Sequence, residues 1–272
     1  MSTYHNIANG IFGFLLAPFG HEAAWFDLLL WPVLMGIGAL QVYKHVSNQK
    51  AIAAVKRQIG MHLLEIRLFR DDIAQVLKST GKIVGKNFLY IGHNLVPLLV
   101  MIVPMVLVMV QLVSHYAYRP SEPGAVEVLH VTLDPEAAAS VRETTLALPE
   151  GVSLDARRVR TADGQVFWRL RADQAGDHIL KVAVGDETYE KGWAVGGENR
   201  VVPVKRVRGL EALLYPGEAP IPRGSPVLSL ELVGDTRSLD WIPDGEGGII
   251  LWAMLASLAA GIALKDAFGV TL

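Results

Sequence analysis

The chain has 272 residues, 51% of them hydrophobic and 19% charged, with a formal net charge of −2. Soluble domains carry about 25% charged residues, so an ordinary soluble protein does not account for this composition. The absence of cysteine excludes disulfides, thiolate metal sites and cysteine nucleophiles.

Residues 6–19, IANGIFGFLLAPFG, are apolar but fall short of the roughly 20 residues that a spanning helix needs. No Lys or Arg precedes them, as a cleaved signal peptide would require. Residues 1–24 are therefore read as an interfacial or re-entrant segment. The first predicted span covers 25–43. It contains Pro32, Gly36 and Gly38, with Trp25 and Trp31 around its start. Asp27 is placed near the outer end, within reach of water.

Residues 44–93 carry nine basic side chains, Lys44 to Lys86, against Glu65, Asp71 and Asp72. Ile52, Ile59, Ile66 and Ile73 recur every seven residues, and Val55, His62, Phe69 and Val76 fill the other seam position, which is coiled-coil spacing. Asp71-Asp72 suit a helix start after a break near Arg70. One long helix or a helical hairpin satisfies this pattern; the hairpin is preferred because both ends must reach the same bilayer face. Its positive charge serves topology and anionic lipid, or an anionic partner such as a ribosome or nascent chain.

The second span covers 94–117, with an apolar core from Leu95 to Val113. Its Pro97 and Pro104 are tolerated in a membrane helix whose neighbours satisfy the freed carbonyls. Residues 118–246 change character, with 15 basic and 21 acidic residues. Alternation in QVFWRLR and HILKVAV predicts strands, with Ala162-Asp163-Gly164 and Gly185-Asp186 as turns. Further strands are expected at 125–133, 144–148, 152–160, 187–195 and 227–233. The spacing suggests an immunoglobulin-like antiparallel sandwich with Trp168 in its core. A third span covers 247–268, with apolar residues concentrated in 248–264. Ala253, Ser257 and Gly261 give it a small-residue face that allows another helix to approach closely. Residues 269–272 form a tail.

The predicted fold class is thus membrane α-helical: three transmembrane helices, a cytoplasmic helical hairpin and an inserted all-β domain. Lys- and Arg-rich short loops stay in the cytoplasm. This places 44–93 and the C-terminal tail inside, and the N-terminus and 118–246 outside. A bacterial inner membrane fits an outer domain without cysteine or an Asn-x-Ser/Thr acceptor.

No nucleotide-binding Gly-rich loop, zincin pair, calcium loop or nucleophile elbow is present in the sequence. No catalytic residue, metal or cofactor is expected. Within or near the membrane, Gln41, Asn94 and Gln111, with His93 beside them, are the polar groups singled out. They mark a pathway or helix contact, or simply sit where headgroups satisfy them.

The order of elements resembles the YidC/Oxa superfamily of membrane protein insertases, including its three-span members. The resemblance is carried by the first span (25–43), the basic isoleucine-seamed segment (50–86), the second span (95–113) and the third (248–264). It departs from that family in having no Lys or Arg within the stretches 25–43, 95–113 and 248–264 and in the inserted 118–246. It implies that Gln41, Asn94 and Gln111 line a membrane groove, and that Lys78, Lys82 and Lys86 receive a client membrane protein at its cytoplasmic mouth. The rival expectation is a non-catalytic scaffold or accessory subunit that binds a partner subunit through 118–246. Beyond a possible ribosome contact, no nucleic-acid partner is expected.

Overall fold

The computed structural model describes residues 24–138, 144–197, 201–232 and 234–270. The expected interfacial segment at 6–19 lies outside these residues. The chain forms two compact units: one made of residues up to Leu28 with Met109–Trp252, the other of Leu29–Val108 with Ala253–Leu272.

Four long helices are present among the described residues: α1 (Ala24–Val46), α2 (Gln49–Leu68), α3 (Ile73–Tyr116) and α4 (Gly245–Leu264). Helices α1, α3 and α4 are each long and apolar enough to cross a membrane. The side chain of Asn48 caps α2 by accepting the Ala51 amide at 3.0 Å, which satisfies one orphan donor of the first turn. Asp72 does the same for α3 through the Gln75 amide at 3.1 Å. The break falls at 69–72, as Asp71-Asp72 suggested. From there α3 continues without interruption for 44 residues, about 66 Å of helix. Neither Gly81 and Gly85 nor Pro97 and Pro104 divides it.

The isoleucine seam is buried only at its α2 start. Ile52 and Val55 are buried, whereas Phe69 and Ile73 are exposed. Once the chain turns at 69–72, those two positions sit at the tip and no longer face a partner helix. Within the same unit Leu40, Tyr43, Ile52 and Val270 form a small core, and Lys44 Nζ donates to the Phe268 carbonyl at 2.8 Å. Gly36 of α1 meets α4 so closely that a Cβ there would lie 2.4 Å from the Ser257 carbonyl oxygen. Part of the predicted small-residue face of α4 is thus occupied by α1.

The β region contains two open antiparallel sheets. Its nine strands among the described residues are β1 (Val126–Leu133), β2 (Thr144–Ala147), β3 (Val152–Leu154), β4 (Val159–Arg160), β5 (Gln165–Ala172), β6 (Gly176–Val184), β7 (Glu187–Val195), β8 (Lys205–Val207) and β9 (Val227–Leu232). One sheet has the order β3-β5-β1-β9-β8 with β4 also on β5; the other has the order β2-β6-β7. Alternating residues of both sheets, among them Leu129, Trp168, Leu170, Val182, Trp193 and Leu230, form one buried cluster. That is how two-faced strands bury their apolar side. Gly164, at φ 81°, makes the turn before β5, a conformation that favours glycine. Lys191 is fully buried, and its ammonium is matched by Glu218 at 2.5 Å and by the carbonyls of Pro203 at 2.5 Å and Gly192 at 3.1 Å.

Candidate functional site

The hairpin of α2 and the first turns of α3 is the more distinctive surface. Its two arms are tied at Glu65. His62 Nδ1 donates to Glu65 Oε2 at 3.0 Å, and Ser79 Oγ donates to the same oxygen at 2.9 Å across the hairpin. Hydrogen bonds from His62 first, and then from Ser79, hold the Glu65 carboxyl below the usual carboxylate range. Ser79 itself is fully buried, so the arms touch there.

Beyond that tie the tip presents large apolar side chains to its surroundings. Leu64, Leu68, Ile73 and Leu77 are all more than 60% exposed. Lys78 and Lys82 are exposed and Lys86 is half-buried. Their spacing of four residues puts the three on one face of α3. Lys78, Lys82 and Lys86 therefore form one basic row on α3, and exposed apolar groups adjoin it. Sequence reasoning misses Ile73 because the heptad period assigns it to a buried seam, and it misses Leu64, Leu68 and Leu77 because they fall outside that seam and carry no periodic signal of their own.

The three groove candidates behave differently. Asn94 is held locally: Tyr43 Oη donates to its Oδ1, and its Nδ2 donates to the Tyr90 carbonyl at 2.7 Å. Gln41 is half-buried, and its backbone carbonyl accepts from His45 Nδ1 at 2.7 Å. Gln111 is buried. Between α1 and α3 lies a recess of about 250 Å³, lined by Trp31, Met35, Gly38, Met101, Pro104 and Met105 among others, all apolar apart from the indole N–H. None of Gln41, Asn94 and Gln111 lines it. The recess is an apolar slot, and its methionines are side chains that adapt to varied shapes.

Asp27 departs from its expected setting. It does lie in the first turn of α1, at the expected end, but it is 0% exposed instead of open to water, and Tyr116 Oη donates to its carboxylate. Gln111 and His115 are also buried, with His115 Nδ1 donating to the Gln111 carbonyl at 2.8 Å, and the Arg237 guanidinium stands 5.7 Å from the Tyr116 ring centre. An acidic group buried in an apolar helix calls for partners. Asp27 and Tyr116 lie 89 residues apart, which is why no local pattern reveals the pair.

Among the described residues no group of three or more His, Asp or Glu side chains could hold a metal ion. No known protein family, curated protein or solved structure matches the chain.

Proposed function

We propose that this chain is an insertase-like integral membrane protein that assists the insertion or assembly of client membrane proteins. The observation that carries the reading is the hairpin tip, where exposed Leu64, Leu68, Ile73 and Leu77 adjoin the exposed Lys78 and Lys82. Leu95 follows Ile73 by 22 helical steps in one continuous helix, about 33 Å. A tip that far along α3 from the apolar stretch is not covered by the bilayer holding that stretch. Exposed apolar side chains of this kind mark interaction surfaces. An apolar client segment with an acidic flank matches both their chemistry and the lysine row. The Met-lined slot between α1 and α3 would then offer an apolar path inside the bilayer, in place of the polar groove expected from Gln41, Asn94 and Gln111.

In this reading the basic hairpin is cytoplasmic and residues 118–246 lie on the far side of a bacterial inner membrane, because Lys and Arg in short loops stay inside. The β region is a sandwich-type module of immunoglobulin-like kind, and no residue is assigned a catalytic role. The test is depletion followed by membrane proteomics, together with photo-crosslinking of nascent chains to residues 64–82. Loss of a set of membrane proteins with crosslinks at the tip supports the reading. Unchanged membrane protein levels with no crosslinks end it.

A second reading, a scaffold or accessory subunit, is favoured by the slot's lack of polar lining and by Gly261, where open space faces the helix. A stoichiometric partner purified natively through residues 118–246, without crosslinks at the tip, would select it.

A further inference from the structure

The β region buries its apolar side chains in one core, with a conspicuous departure at the 3-10 helix Gly209–Leu214. Leu210 is 70% exposed, the most exposed large apolar side chain of the described residues between 118 and 244, and Leu214 is 47% exposed. Covering such a leucine with an apolar neighbour is favourable in proportion to the apolar surface removed from water.

The surroundings of Leu214 indicate what that neighbour is. Leu214 lines a recess together with Val113 and Ser114 of α3, Tyr118, Tyr215 and Glu246. Val113 is the last residue of the apolar stretch that begins at Leu95. Leu214 therefore lies beside the end of a membrane-length helix. Tyr118 hydrogen-bonds Glu246 in the first turn of α4, and burial together with this acidic neighbour pushes its phenol up from the ordinary tyrosine range. The Lys205 ammonium stands 5.1 Å from the centre of the Tyr215 ring and pairs with Glu211 at 3.0 Å. Trp241, 42% exposed, packs edge-to-face on Trp252 of α4 at 4.9 Å. Tyrosine, tryptophan and lysine at the ends of apolar helices are the residues of the headgroup zone.

We propose that the 3-10 helix Gly209–Leu214 is a bilayer-contact element, seating Leu210 and Leu214 in the headgroup–acyl boundary of the leaflet in which α3 ends. The partner is the lipid surface itself, continuous with the lipid around the spans. Apolar side chains buried at this shallow depth, with polar groups held by neighbours behind them, match how interfacial helices bind membranes. The contact gives the β region a membrane anchor besides its two chain connections. It rests on the reading of α3 as a membrane span.

The natural absence of cysteine makes the test direct. Single-cysteine variants Leu210→Cys, Leu214→Cys, Asp186→Cys in an exposed turn and Leu99→Cys on the exposed face of α3 would each carry a polarity-sensitive fluorophore. The full chain is reconstituted in phosphatidylcholine–phosphatidylglycerol nanodiscs. The 210 and 214 labels are expected to emit to the blue of the 186 label, to be quenched by a shallow lipid spin label, and to resist aqueous iodide by about threefold or more, as an interfacial site does. Labels at 210 and 214 as iodide-accessible as that at 186, with 99 protected, overturn the proposal alone. An accessible 99 label overturns the span reading and the proposal together. Leu210 is exposed enough that its variant does not depend on refilling the recess, so a folding defect at 214 leaves the 210 result decisive.

Discussion

Two glycines two residues apart on α1 should respond in opposite directions to the same substitution. At Gly36 a Cβ would stand 2.4 Å from the Ser257 carbonyl oxygen and 3.2 Å from the Ala260 Cβ; at Gly38 it would meet nothing within 4 Å. Ordinary non-bonded separation is about 3.5 Å, so Gly36→Ala must push α1 from α4 by about 1 Å, against a backbone atom that has no rotamer to change. Overpacking of this kind costs roughly 1–3 kcal/mol. Alanine also favours the helix over glycine by about 1 kcal/mol, but that gain is common to both variants. The difference between them therefore isolates the packing contact, at about 1–3 kcal/mol in favour of Gly38→Ala. Reversible denaturation in mixed micelles, followed by tryptophan fluorescence, measures it. Equal stability of the two variants would refute the close α1–α4 approach.

Three further outcomes are expected. Lys191→Met should destabilise the β region by about 3–5 kcal/mol, because it strands the Glu218 carboxylate beside a buried site; loss of the near-ultraviolet signal of buried Trp168 and Trp193 reports it. Glu127 is buried on the core face of β1 and accepts from Ser121 Oγ, and burial pushes its carboxyl up to about 7. Since the folded chain holds that proton more tightly than the unfolded chain, stability should fall as pH rises from about 4.5 to 7 and then level, by on the order of 2 kcal/mol. Glu127→Gln should remove this slope; a variant that keeps it would show that Glu127 is not its source. Glu65 has the opposite sign: its depressed carboxyl contributes to the hairpin at neutral pH, a contribution lost as pH falls through its folded value. Amide protection at 69–76, taken relative to the intrinsic exchange rate at each pH, should therefore fall on acidification in the wild type and already be low in Glu65→Ala at neutral pH.

Much of this architecture is legible locally. The three apolar stretches announce the three membrane-length helices, and period-two alternation places β1, β2, β5, β6, β7 and β9 within about two residues of their ends. A single run expected at 152–160 divides into β3 and β4, because Asp155-Ala156-Arg157-Arg158 between them offers no alternating apolar face. Strand β8 has no local signal, since Lys205-Arg206-Val207 carries one apolar residue and owes its pairing to β9. The continuity of α3 is also hidden in the sequence. Its glycines at 81 and 85 and its prolines at 97 and 104 argue locally for weak points that tertiary context overrides. The heptad seam fails for a related reason. Its period is real, but the turn at 69–72 removes Phe69 and Ile73 from any facing helix. Asp27 and Tyr116 meet only through the fold, so the buried carboxylate and its partner are out of reach of any window along the sequence.

The proposed insertase-like role of the hairpin tip places the basic hairpin and the β region on opposite sides of one membrane. Lys82→Cys and Asp186→Cys, each the sole cysteine of the full chain, can be expressed in a bacterial host and exposed to a membrane-impermeant maleimide in spheroplasts and in inverted inner-membrane vesicles. Position 186 should be labelled only in spheroplasts and position 82 only in inverted vesicles. Labelling of both positions from the same side would contradict this arrangement.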